Sequence, residues 1–139
     1  MMTDAVDSKL ATANYELTIK GAPRSKKNSM QIVKFGNRPS LIPSAKYREY
    51  EKMAGEQITP PDAPINDPVN VKMLFYMPTH RRVDLSNLIS ACLDILVKYQ
   101  VLEDDNCNIV VTQDGSQVFY DKENPRTEVY ITQFSGAFD

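Results

Sequence analysis

Two cysteines and one histidine are too few for a zinc site or a disulfide framework. Cys92 falls on the apolar face of a predicted helix, and Cys107 lies in a polar turn or strand start; both read as reduced thiols. No apolar run approaches the roughly 20 residues that cross a bilayer as a helix. Residues 1–14 have neither the basic start nor the apolar core of a secretion signal, so a cytoplasmic protein with no membrane partner is the expectation. Internal repeats and low-complexity tracts are absent as well. Acidic residues are missing from one long stretch, Leu17 to Arg48, although the net charge is −2 and the pI about 5.4. That stretch carries Lys20, Arg24, Lys26, Lys27, Lys34, Arg38, Lys46 and Arg48, half of the chain's 16 Lys and Arg. Local potential rather than the total steers a polyanion to a surface, so the asymmetry points to a nucleic acid. A second basic cluster, His80-Arg81-Arg82, stands shortly before Asp84.

What is present is the material of one ordinary globular domain: 139 residues, 42% hydrophobic and 24% charged. Residues 1–13 read as a flexible leader and 14–135 as the domain. Tyr15 to Lys20 alternates apolar and polar as a half-buried strand does, and Gly21-Ala22-Pro23 ends it. The basic Arg24 to Asn28 segment is a loop. A strand around Met30 to Phe35 then turns at Gly36-Asn37 into a hairpin partner, Arg38 to Ile42. Ser44 is placed to cap a helix that runs to about Gln57. Four prolines and two aspartates between Thr59 and Pro68 make a surface loop. Val69, Val71, Met73, Phe75 and Met77 share one face of a strand. Leu85, Leu88, Ile89, Cys92, Leu93, Leu96 and Tyr99 recur at the spacing of one buried helix face. Ile109 to Thr112, Gln117 to Tyr120 and Thr127 to Phe134 complete the strands. The order predicts an α+β fold: a single domain, with a mixed β-sheet and two main helices packed on one face.

Carboxylates flank the second helix at both ends. Asp84 stands at its start, where a capping role is the simplest account. Glu103-Asp104-Asp105-Asn106 follows it, and alone would be a solvated acidic turn. Acids that close repel one another, and a hard cation with oxygen ligands removes that cost. Asp84, Asp104 and Asp105, beside Arg81 and Arg82, are the constituents of metal-assisted phosphodiester cleavage. Carboxylates fix the cation, and Lys or Arg holds the neighbouring phosphates.

The run Arg81-Arg82-Val83-Asp84-Leu85-Ser86-Asn87-Leu88, then Leu93 to Lys98, then Val101-Leu102-Glu103-Asp104-Asp105, resembles the RusA family of Holliday junction resolvases. The resemblance is strongest over residues 81–111. It is looser in Pro23-Arg24-Ser25-Lys26-Lys27-Asn28-Ser29 and in Pro43 to Tyr50. It implies a homodimer that binds four-way or branched DNA and hydrolyses phosphodiester bonds in recombination and repair, with Mg²⁺ or, in its place, Mn²⁺. It implies a RusA-like fold, with Asp84 and Asp105 as catalytic metal ligands and Asp104 beside them. Ser86 stands where the family has a second aspartate, and Ser90 where it has a lysine one turn further on. Ser86 and Asn87 are left to offer neutral oxygens to the metal. The residues expected to meet DNA are Arg24, Lys26, Lys27, Lys46, Arg48, Arg81, Arg82 and Lys98. Ser86 and Ser90 also support an alternative of another class, a protein that binds junctions or single strands with weak or no cleavage.

Geometry constrains the acids further. A helix from Leu85 to Tyr99 is about 22 Å long, so Asp105 meets Asp84 only if the chain runs straight back along the helix or a partner subunit supplies one of them. The return within one chain is the expectation, with Val101-Leu102 packing on the sheet as it goes. Smaller expectations are an Asp94–Lys98 ion pair across one helical turn and an exposed loop position for His80. Tyr47 and Tyr50 are placed to stack on unpaired bases, with a place in the core an equal reading for one of the two.

Overall fold

The structure is a computed structural model, and it describes residues 14–26 and 30–134. The leader at 1–13 and Lys27 lie outside the described residues. In chain order the elements are β1 (Tyr15–Lys20), β2 (Met30–Phe35), β3 (Arg38–Pro43), α1 (Ala45–Glu56), β4 (Val69–Met77), α2 (Leu85–Lys98), β5 (Val110–Thr112), β6 (Gln117–Tyr120) and β7 (Arg126–Gln133). This is the predicted order, with boundaries moved by a residue or so, as fraying ends allow. The main sheet is mixed. β7 pairs antiparallel with β1 on one side and with β4 on the other. β5 and β6 both run parallel to β4, β5 beside its first residues and β6 beside its last. β2 and β3 form a separate hairpin, in which Ile32 and Leu41 face each other across the strands and are both exposed. The turn at its tip rests on Gly36, whose φ of 66° suits a glycine.

Alternation in β4 decides the layering. Val69, Val71, Met73 and Phe75 are buried, while Asn70, Lys72, Leu74 and Tyr76 between them are half-buried on the other face. On the buried face lie Tyr47, Tyr50 and Ala54 of α1 and Leu88, Ala91, Cys92, Leu93, Ile95 and Leu96 of α2. Two helices thus cover one side of a mixed sheet, the α+β arrangement expected. Ser44 caps α1 as predicted, its Oγ accepting from the Tyr47 backbone N–H at 3.2 Å. Burial pushes the Cys92 thiol up to about 12, so it is an inert core residue.

Tyr47 and Tyr50 are both core residues, at 0% and 8% exposure, so neither can stack on a base. The helical stripe places them inward because they are three residues apart. The Tyr47 hydroxyl is buried without a hydrogen-bond partner among the described residues. Tyr47→Phe is therefore expected to leave stability unchanged or to raise it by about 1 kcal/mol. A thermal melt checks this, and a fall of several degrees would contradict it.

Among the described residues no helix lies over the other face of the sheet, which is held by side chains instead. Phe119 stacks on Tyr76 with ring centroids 4.8 Å apart, and the Arg126 guanidinium lies 3.7 Å from the Tyr76 centroid. Arg126 also pairs with Glu128 at 2.7 Å and with Asp121 at 2.9 Å. Its hydrogen bond holds the Asp121 carboxyl below its ordinary 3.8. Burial pulls Glu128 upward, but hydrogen bonds from Arg126 and Tyr130 outweigh it and hold that group below 4.5. A depressed carboxyl stabilises the fold only while ionised, so this contribution is complete above about pH 5 and lost as pH falls through the lowered values. Denaturant melts between pH 6 and about pH 3 should show stability declining with acid, and the decline should be shallower in Glu128→Gln.

Candidate nucleic-acid and metal site

Asp84 is the N-cap residue of α2, with extended backbone and a carbonyl that accepts from the Asn87 and Leu88 N–H groups. Its carboxylate makes no capping hydrogen bond. Instead Oδ2 accepts from the side-chain amide of Asn87 at 3.2 Å, and the residue is exposed. An aspartate at this position ordinarily turns its oxygen onto the free N–H groups of the first turn. Here it is left available to a ligand. Ser86, two residues on in the first turn of α2, is also exposed.

Asp84 forms part of a cleft between the segment after β1 and the segment after β4, lined also by Arg24, Ser25, Arg81, Arg82 and Leu88. Arg24, Arg81 and Arg82 are exposed. Three guanidinium groups about one carboxylate make this end of the molecule strongly positive, as the local charge count implied. Lys46 lies near Arg24 in a neighbouring groove. The other described basic residues of the expected set, Lys26, Arg48 and Lys98, are engaged by the protein. Lys26 bonds Asp94 at 3.0 Å, Lys98 bonds Glu51 at 2.7 Å, and Arg48 donates to the Pro43 carbonyl. The expected Asp94–Lys98 pair does not form, because each finds a partner on another element that sits closer than its helical neighbour.

Asp104 and Asp105 lie elsewhere. At the end of α2 the chain reverses through Gln100, whose φ is 68°, and the Val101 and Leu102 N–H groups both donate to the Leu96 carbonyl. Val101 and Leu102 are fully buried there, and Leu102 pairs with Ile65, four residues ahead of β4. Val110 then pairs with Val69, the first residue of β4. The acidic turn is thereby pinned beside the start of β4, whereas Asp84 follows its end. The 14 residues of α2 alone set these ends about 20 Å apart. The expected return within one chain does not occur. Burying Val101 and Leu102 under the last turn of the helix consumes the residues that would have spanned its length.

Within the turn, Asp104 is structural in one chain. Its Oδ1 accepts from the Asp105 N–H at 2.8 Å and its Oδ2 from the Asn106 amide at 3.0 Å. Among the described residues no hydrogen bond or ion pair engages the Asp105 carboxylate. The donors thus suit a hard cation: the Asp105 carboxylate and the Asp84 carboxylate are exposed, and only Oδ2 of Asp84 is engaged, by the Asn87 amide. The geometry of one chain does not, since no three acidic, histidine or cysteine side chains among the described residues come together to hold a metal.

Tyr120 was not visible as a site residue in the sequence. It closes a strand that the sequence marked only as a short one, yet it is exposed and stacked on His80, four residues before Asp84. His80 is exposed in the loop, as expected.

Comparison with known proteins agrees with the fold and the motif. No curated protein matches the chain. The family profile for endodeoxyribonuclease RusA matches residues 13–132, nearly the whole of the 139. That family comprises Holliday-junction-resolving endonucleases, which act on branched DNA and are generally dependent on a divalent metal. No described helix is long and apolar enough to cross a membrane. With the mixed sheet, the two helices and the profile spanning all of them, this chain belongs to the RusA endodeoxyribonuclease family.

Proposed function

We propose that this protein is a metal-dependent endodeoxyribonuclease that resolves Holliday junctions and related branched DNA in recombination and repair. It acts as a homodimer in which each site draws Asp84 from one protomer and Asp105 from the other. The observation that carries the reading is the exposed Asp84 carboxylate, bonded to no helix N–H and standing in an arginine-lined cleft a helix length from its expected partners. A two-fold dimer with α2 of each protomer antiparallel across the axis would bring opposite ends of the two chains together. Asp84 and Asp105 would then hold the cation, with Ser86 and Asn87 as neutral oxygen donors and Asp104 keeping the acidic turn in shape. Mg²⁺, or Mn²⁺ in its place, would supply an activated water and charge neutralisation at the scissile phosphate. Arg24, Arg81 and Arg82 hold the flanking phosphates in the cleft. Lys46, and more weakly Lys26, Lys27, Arg48 and Lys98, extend the positive track.

The test is incubation of the purified protein with a synthetic four-way junction, with and without Mg²⁺ or Mn²⁺. Cleavage only with metal is expected. A second reading, junction or single-strand binding with little cleavage, is favoured by Ser86, which removes one anionic ligand from the family's set. Tight junction binding without metal and no nicking with it would establish that reading in place of the first.

Arg81→Ala and Arg82→Ala should weaken binding to junction and duplex alike. Each should reduce the slope of log affinity against log salt by about 1. Titrations at several salt concentrations measure it, and an unchanged slope removes that arginine from the phosphate contacts.

A further inference from the structure

His80 and Tyr120 form a stacked pair at the surface. Their ring centroids are 3.8 Å apart with planes inclined by 20°. Both residues are exposed, Tyr120 at 46%. The neighbouring rings of the sheet have other occupations. Phe119 and Tyr76 are stacked on each other beneath Arg126, on the face opposite α1 and α2. Successive strand residues alternate faces, and cross-strand partners share one. Phe119 is partner to Tyr76, and Tyr120 to Met77. Tyr120 therefore stands on the opposite face from Phe119, the face that carries the helices, at the end of the sheet where α2 begins. Asp121, next in the chain, donates its backbone N–H to the Met77 carbonyl and fixes this strand end against the end of β4.

The pair thus lies at the Asp84 end of the molecule, on the Asp84 side. Arg81 and Arg82 follow His80 directly, and both are exposed. The acid beside Tyr120 does not oppose a phosphate, because Asp121 is already paired with Arg126 and accepts from the Glu123 and Asn124 N–H groups. An exposed aromatic platform flanked by exposed guanidinium groups has the composition that receives an unpaired base. The ring offers a face to any base, and the arginines take the adjoining phosphates. Duplex DNA keeps its bases stacked inside, so such a platform acts only where a base is already unpaired or easily displaced.

We propose that the His80–Tyr120 stack is a binding subsite for an unpaired base at the branch of the DNA substrate, and that it selects branched over continuous DNA. The inference rests on the nuclease reading and assigns how the same site recognises its substrate. Once seated, the base would anchor its strand with the neighbouring phosphate on Arg81 or Arg82 and the chain leading towards Asp84.

The test measures affinity of the full chain for a four-way junction and for a duplex of the same sequence, in Ca²⁺ so that no cleavage intervenes. Wild-type protein, Tyr120→Ala, Tyr120→Phe and His80→Ala are compared. Tyr120→Ala is expected to lose about tenfold to a hundredfold in junction affinity, to leave duplex affinity unchanged, and to be rescued by Tyr120→Phe, which keeps the ring. His80→Ala should fall in the same direction, and it decides the matter if Tyr120→Ala does not fold. A junction with 5-iodouracil at the branch point should photo-crosslink to Tyr120 or His80. Unchanged junction affinity in both alanine variants, or an equal loss on junction and duplex, overturns the subsite and leaves the nuclease reading standing. Wild-type protein that binds neither DNA overturns both.

Discussion

Mixing Asp84→Asn with Asp105→Asn protein should regenerate nicking of a four-way junction that neither variant performs alone. Each single variant is expected to lose cleavage by about a thousandfold or more while keeping junction affinity, because a carboxylate ligand is removed and the arginine cleft is not. In a shared site the heterodimer contains one centre with both substitutions and one with neither. Random exchange makes about half of the dimers mixed, so about a quarter of the wild-type centres should return. The surviving centre stands alone in its dimer, so the product should be nicked junction rather than the paired cuts of full resolution. If both acids acted within one chain, every centre in the mixture would carry a substitution and nothing would return. Nicked and resolved products separate on native and denaturing gels, and absence of rescue after demonstrated subunit exchange would rule out the shared site. This is the sharpest consequence of finding Asp84 and Asp105 at opposite ends of α2.

Leu96→Ala is expected to cost about 2 to 5 kcal/mol, the largest stability loss of any single change considered for this protein. Leu96 has no exposed surface, and its carbonyl accepts from both Val101 and Leu102 at the chain reversal. Removing its side chain leaves a cavity beneath the last turn of α2. The same turn holds Val101 and Leu102 in place and, through them, the acidic turn that follows. Urea denaturation should show a lower midpoint with an unchanged slope, since the surface exposed on unfolding is nearly the same. Junction cleavage should suffer too if the acidic turn is positioned from this anchor. A loss below about 1 kcal/mol would mean that the surroundings collapse into the space.

Much of the architecture was legible because it is written in periods. The two-residue repeat from Val69 to Met77 and the stripe from Leu85 to Tyr99 each select one element and one buried face, and both elements formed as expected. Ser44 was legible as a cap because its chemistry acts on the residues beside it. Asp84 looked like the same kind of cap, and its position is indeed the N-cap. What its carboxylate does there was not legible, since a side chain released from its own helix end looks no different in sequence. The ion pairs were misread for a related reason. Asp94 and Lys98 are neighbours on one helix, but Lys26 and Glu51, brought in by other segments, come closer.

By itself the sequence determined the α+β element order, the buried faces, the concentration of positive charge before the second helix, and the motif that marks the RusA family. All of these follow from local spacing and from residue type, which need no knowledge of distant contacts. Only the tertiary structure decided where the acids stand relative to one another. Val101 and Leu102 bury their apolar surface beneath the helix end, Leu102 against Ile65, instead of packing on the sheet along the helix as expected. That packing leaves Asp104 and Asp105 a helix length from Asp84, and only β6 pairing with the end of β4 sets Tyr120 on His80. Contacts between residues distant in sequence carry both results, and no local pattern records them.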